Sequence, residues 1–104
     1  MSDVIVKKAI YDHITLKKII FEMMDALGGG EINSGVRVLI KPNFLCPAKP
    51  ESGILTHPFV TKAVAEYLLH KGCKLQISDS PAMGSCQRVL KVGEYQKVFS
   101  DLDV

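Results

Sequence analysis

No apolar run in the chain approaches the ~20 residues that a membrane span requires, so no spanning helix is expected. The first residues, MSDVIVKKAIYD, place charges where a secretion signal needs its apolar stretch. Charge of one sign is also lacking. Thirteen Lys and Arg against eleven Asp and Glu leave a net charge of +2, too mild to argue for nucleic acid. The three cysteines, Cys46, Cys73 and Cys86, form no CxxC pattern, which leaves zinc and iron–sulfur frameworks without a basis. HExxH, GxSxG and GK[ST] are all missing. Internal repeats and low-complexity tracts are missing too.

What is present is an ordinary globular balance, 47% hydrophobic and 23% charged over 104 residues. That balance argues against disorder, and the length allows one domain with a thin core. Three free thiols suit a reducing compartment, so a cytoplasmic location is expected. Cys73, beside Gly72, reads as a small buried hydrophobe. Cys46 and Cys86 fall in or beside predicted loops and could meet as soft metal ligands, but their spacing assigns no metal site.

Residues 3–10 contain the β-branched run Val4-Ile5-Val6 and predict a first strand. Asp12 is a helix N-cap, and Leu16, Ile19, Ile20, Met23 and Leu27 mark one apolar helical face. His13 in its first turn, and the pairs Lys7-Lys8 and Lys17-Lys18, are expected to be solvated. Gly28-Gly29-Gly30 closes that helix; it follows a helix rather than a strand, which argues against a phosphate loop. Val36–Ile40 predicts a second strand. A long connection, KPNFLCPAKPESGILT, holds three of the five prolines and shows no helical period. Connections of this length are usually functional or disordered. Pro58 opens a second helix that Gly72 ends, with His70 near its end as a complement to the helix dipole. Residues 74–78 predict a third strand. The turn-rich DSPAMG leads to Ser85 as N-cap of a third helix ending at Gly93, and the tail begins another. This alternation predicts an α/β domain, three-layer and Rossmann-like, with a mostly parallel sheet of about three to four strands in the order βαβαβα.

In such sheets ligands bind beyond the carboxyl ends of the strands. Lys41-Pro42-Asn43, Thr56-His57-Pro58 and Asp79-Ser80-Pro81 should meet there. The helix opened by Pro58 would add free N–H groups and a partial positive charge. Lys41 adds a full charge, and Asn43, Thr56 and Ser80 add neutral donors and acceptors. The combination suits a phosphate or a carboxylate. Asp79 and His57 are the candidates for catalytic work, with Asp79 a base, metal ligand or hydroxyl acceptor. Each residue also has a plain structural reading. Lys41 would be a solvated strand end, Asn43 a turn anchor, His57 a donor to a local carbonyl and Asp79 a loop cap.

The run from Val38 to Ser85 is similar to the family catalogued as domain of unknown function 362. The similarity rests on Lys41-Pro42-Asn43 ending a strand, the Pro-rich loop, Thr56-His57-Pro58 opening a helix, Gly72, Asp79-Ser80-Pro81 and Gly84-Ser85. Gly93 and Tyr95 resemble a further Gly-Tyr feature, with Glu94 inserted. The resemblance extends over about residues 3–100. It implies an α/β fold of mostly unassigned activity, and the expected ligand-binding set stays the topological one, Lys41, Asn43, Thr56, His57, Asp79 and Ser80, with Ser85 added. Many longer members carry a ferredoxin-like segment for 4Fe–4S clusters. This chain has no such segment, so no cofactor is carried over to it. The resemblance is to the family's N-terminal portion, so a truncated gene, a fragment or a minimal relative is expected. A small sheet with open edges should also be marginally stable or self-associate. The functional expectation is a small-anion-binding domain; the alternative is a structural or interaction module without a ligand site.

Overall fold

A computed structural model describes residues 4–79 and 85–102. The first helix, α1 (His13–Ala26), starts where Asp12 is extended and its carboxylate accepts the Thr15 N–H at 3.1 Å. This is the cap the sequence predicts. Beyond Leu27 the chain turns through Gly28 at φ +100° into one 3-10 turn, Gly29–Glu31. Gly29 is required for space: a Cβ there would collide with the Tyr67 hydroxyl and stand 2.7 Å from the Met24 carbonyl.

Strand β1 (Arg37–Ile40) leads through the long loop into α2 (Pro58–His70) and then β2 (Lys74–Ile77). The strands are parallel, with Arg37 opposite Lys74 and Ile40 opposite Ile77. Side chains alternate between faces along both strands. Val38, Ile40 and Leu75 pack on Tyr67, Leu68 and Cys73, together with Phe21 and Met24 of α1. A second core gathers Phe44, Leu55, Val89 and Tyr95, with Ile77, Leu90 and Phe99 against it. Two of its four buried members, Phe44 and Leu55, come from the Pro-rich loop. That loop is therefore an ordered wall of the core. The short helices α3 (Cys86–Val92) and α4 (Tyr95–Val98) supply the others.

The expected number of strands is not found. Among the described residues the sheet has two strands, in the order β1-β2. Residues 4–10 lie in no regular element, and Val4 and Val6 are 86% and 89% exposed. β-Branched residues favour a strand only where a neighbouring edge pairs with it. The three-layer arrangement is likewise not seen. Arg37, Leu39, Lys74 and Gln76 form an exposed sheet face, with Leu39 54% exposed. A mixed α/β fold with a parallel sheet stands.

Two charged groups expected in solvent are partly buried. His13 Nε2 lies 2.7 Å from Glu66 Oε1, and Lys17 Nζ lies 3.1 Å from Glu66 Oε2. Burial acts to raise the Glu66 carboxyl, but the bonds from His13 and Lys17 outweigh it and hold the group below the usual carboxylate range. This cluster ties α1 to α2 at one end. At the other, the Tyr67 hydroxyl donates to Asp25 at 2.5 Å.

Glycine and left-handed backbone separate at the α3–α4 junction. Gly93 has φ −75°, while Glu94 takes φ +64°. Gly93 is needed for space, since a Cβ there would stand 2.9 Å from both the Leu55 side chain and the Val89 carbonyl. The residue interrupting the Gly-Tyr pair thus carries the strained turn.

Candidate functional site

The candidate edge is built around the two ends of the Pro-rich loop. The Asn43 N–H donates to the Thr56 hydroxyl at 2.8 Å, and the Thr56 N–H donates back to the Asn43 carbonyl at 3.1 Å. The Asn43 side-chain amide donates to the Ile54 carbonyl at 3.0 Å. This pairing brings the Lys41-Pro42-Asn43 and Thr56-His57-Pro58 motifs side by side, as topology requires.

Asp79, just beyond β2, joins them. One carboxylate oxygen accepts the Phe44 N–H at 3.2 Å, and the other lies 3.8 Å from Lys41 Nζ. Lys41 itself remains 62% exposed. Ser80 lies outside the described residues, as do Pro81 and Gly84. Ser85 caps α3, accepting the Arg88 N–H at 3.2 Å. The neighbouring Cys86 thiol lies 3.9 Å from the Ser78 hydroxyl, so α3 starts beside the end of β2.

His57 is the N-cap of α2. Its Nδ1 accepts the Phe59 N–H at 3.1 Å, where the plain sequence reading has it donating to a carbonyl. An accepting Nδ1 places the proton of the neutral ring on Nε2. The ring also stacks on Tyr11, centroids 4.0 Å apart and planes 10° apart. The sequence expectation of free N–H groups at this helix start is corrected. Pro58 has none, the Phe59 N–H is held by His57, and the Val60 and Thr61 N–H groups bond to the His57 carbonyl. Positive charge at this edge comes from Lys41, and the neutral His57 ring offers its Nε2–H as a donor.

Burial pushes the His57 imidazole below its ordinary 6.5, against the pull of Glu51 and Glu94. The sign follows from linkage. As pH falls below 6.5 the unfolded chain takes up the proton first, so this contribution is complete above 6.5 and is lost as pH falls through the folded value. The Phe59 amide is expected to lose protection, relative to its intrinsic exchange rate, as pH falls through the folded value, read by amide NMR. His57→Ala should cost about 1 kcal/mol at neutral pH, while His57→Asn should keep the cap and remove the pH dependence.

Sequence reasoning missed the residue that holds this assembly from below. The Tyr95 hydroxyl donates to the Thr56 carbonyl at 2.5 Å and lies 2.8 Å from the Thr61 hydroxyl. A phenol has one proton, so Thr61 donates to Tyr95. Both side chains are buried. The signals in the sequence were slight: one threonine among the inward positions of α2, and one tyrosine after Gly93.

Among the described residues, no three His, Cys, Asp or Glu side chains gather into a group able to hold a metal ion, Cys46 and Cys86 included. No described helix is long and apolar enough to cross a membrane.

Comparison with known proteins bears on the same segment. A thylakoid-associated protein, sll1697, of Synechocystis sp. is 36% identical over 84 residues, which is 79% of this chain and 26% of that protein. The chain thus spans about a quarter of the length of that relative. No solved structure matches the chain significantly. A family model described as Domain of unknown function (DUF362) matches residues 38–104, a stretch that holds Lys41, Asn43, Thr56, His57 and Asp79, and the chain belongs to that family.

Proposed function

We propose that the carboxyl edge of the sheet binds a small anionic ligand, a phosphate or a carboxylate. One observation carries this reading: Lys41 Nζ stands exposed at the end of β1, on a loop pinned through Asn43–Thr56 and Phe44–Asp79. A lysine on a pinned backbone meets an anion with less ordering cost than one on a free loop does. His57, one residue beyond Thr56, is the second proposed donor, through Nε2–H. Asp79 shares Lys41 with the ligand, so the expected affinity is weak. Ser80 and Ser85 complete the proposed set on sequence grounds. In longer relatives the same edge is proposed to belong to an iron–sulfur or metal-linked protein. A cytoplasmic location is part of the proposal, and the unpaired thiols of Cys46, Cys73 and Cys86 support it. The thylakoid association of the relative supports a site of action near a membrane surface.

A second reading is a structural or interaction module. It is favoured by the bonds that Asn43, Thr56, His57 and Asp79 already make within the chain.

Amide NMR titration with inorganic phosphate, lactate and divalent metals separates the two. The expected result is saturable shifts confined to residues 41–58, 79 and 85. Lys41→Ala should weaken binding at least about tenfold, equivalent to about 1.4 kcal/mol. The fold should survive it, because an exposed ion pair contributes about 0–1 kcal/mol. Absent or scattered shifts would remove the ligand site and leave the second reading.

A further inference from the structure

Among the described residues, the outer edge of the second strand pairs with no other strand and has an apolar wall beside it. In the parallel ladder the Lys74 N–H bonds to the Val36 carbonyl and the Ser78 N–H bonds to the Ile40 carbonyl. Every second residue of a parallel strand faces the same neighbour. Lys74, Gln76 and Ser78 therefore face β1, and the backbone N–H and C=O groups of Leu75 and Ile77 face outward. No other strand pairs with β2 among the described residues. Along this edge runs a groove of about 370 Å³, lined by Leu75, Gln76, Ile77, Leu90, Tyr95 and Phe99. Three consecutive strand residues line it. Their side chains alternate between faces, so the groove follows the strand edge itself. Backbone groups that no described strand engages, beside an apolar wall, are the arrangement that accepts an added strand.

The chain carries a segment of matching chemistry. Val4-Ile5-Val6 is a strong strand former in no regular element, with Val4 and Val6 almost fully exposed. We propose that residues 4–10 of one copy add as a strand to the β2 edge of a second copy, and that the exchange is reciprocal. Reciprocal exchange closes as a two-fold dimer and uses both grooves. Charge sets the direction. With Val4–Val6 alongside Leu75–Ile77 in parallel, Lys7 and Lys8 fall beside Ser78 and Asp79. The antiparallel direction would set them beside Lys74. Docking releases the Lys7–Glu22 pair, 3.5 Å apart and exposed on both sides, which contributes little.

The test is light scattering after size exclusion over a wide concentration range, with amide hydrogen exchange on the same samples. The wild-type chain should reach twice its 11.4 kDa mass, with the Leu75 and Ile77 amides protected. The double variant Val4→Asp, Val6→Asp should stay at the monomer mass with those two amides unprotected. Its thermal midpoint at low concentration should match that of the monomeric wild type, because both positions are exposed there. Three results would overturn the proposal. One is a wild-type chain that stays monomeric with Leu75 and Ile77 exchanging freely. Another is a monomer in which residues 4–6 are protected, which would mean that the segment docks on its own chain. The third is a dimer that persists in the double variant.

Discussion

Phe44→Ala is expected to remove most of the stability of the fold and to leave a large unfolded fraction at ambient temperature. Phe44 is 0% exposed and meets Tyr95 edge-on, ring centroids 4.9 Å apart. Its backbone N–H also binds Asp79. Removing a buried phenylalanine costs about 3–5 kcal/mol through lost transfer energy and the cavity left behind. A small domain whose described residues form a two-stranded sheet sits near the low end of the usual 5–15 kcal/mol of total stability. Urea unfolding followed by circular dichroism would show the native baseline lost or greatly shortened. Leu45→Ala, one residue along and half exposed, is the control and should change stability by less than about 0.5 kcal/mol. Equal effects at the two positions would mean that the Pro-rich loop is not part of the core.

Two of the three tyrosines should make the protein sensitive to alkali. Burial pushes the Tyr95 phenol from 10.0 up to about 12. The Tyr67 phenol is pushed up to about 12 first by its bond to Asp25 and then by burial. A phenol is charged only when it has lost its proton. The unfolded chain therefore ionises near pH 10, while the folded chain resists until about 12. The contribution is complete below pH 10, declines above it and is gone beyond about 12. For Tyr95 it is roughly 1–2 kcal/mol after allowance for screening by solvent. Phenolate absorbance should lag behind that of free tyrosine and rise together with the loss of near-ultraviolet dichroism. Tyr95→Phe should flatten this dependence. It should also lower stability at neutral pH by about 1–3 kcal/mol, because the Thr56 carbonyl and Thr61 hydroxyl lose their buried partner. A phenolate rise completed near pH 10 in a protein that stays folded would contradict the assignment.

The order of the elements was legible along the chain wherever a local rule acts. Asp12 and Ser85 cap helices through short-range bonds, and Pro58 opens α2. Gly28 and Gly72 take positive φ where helices end. The candidate edge was legible for the same reason, since Lys41, Asn43, Thr56, His57 and Asp79 all lie at the ends of elements. The use made of these residues was less so. His57 and the first N–H groups of α2 satisfy one another, and a list of motifs does not show which donors are already engaged. Val4-Ile5-Val6 has strand composition without a strand, because composition supplies propensity and only a facing edge supplies hydrogen bonds.

By itself the sequence determined the starts and ends of the helices, the two strands that pair, the parallel α/β class and the gathering of the KPN, THP and Asp79 motifs at one edge. These depend on capping, periodicity and crossover topology, which act over a few residues or follow from chain order. Tertiary structure alone decided that the Pro-rich loop is core. It also decided that Glu66 holds His13 and Lys17, that Tyr95 props the Thr56 carbonyl, and that no described strand covers the outer edge of β2. Each of these joins residues about 34 to 53 positions apart or turns on a neighbour that is missing. Contacts of that range are set by how the helices and loop fill space together, and no local pattern encodes them.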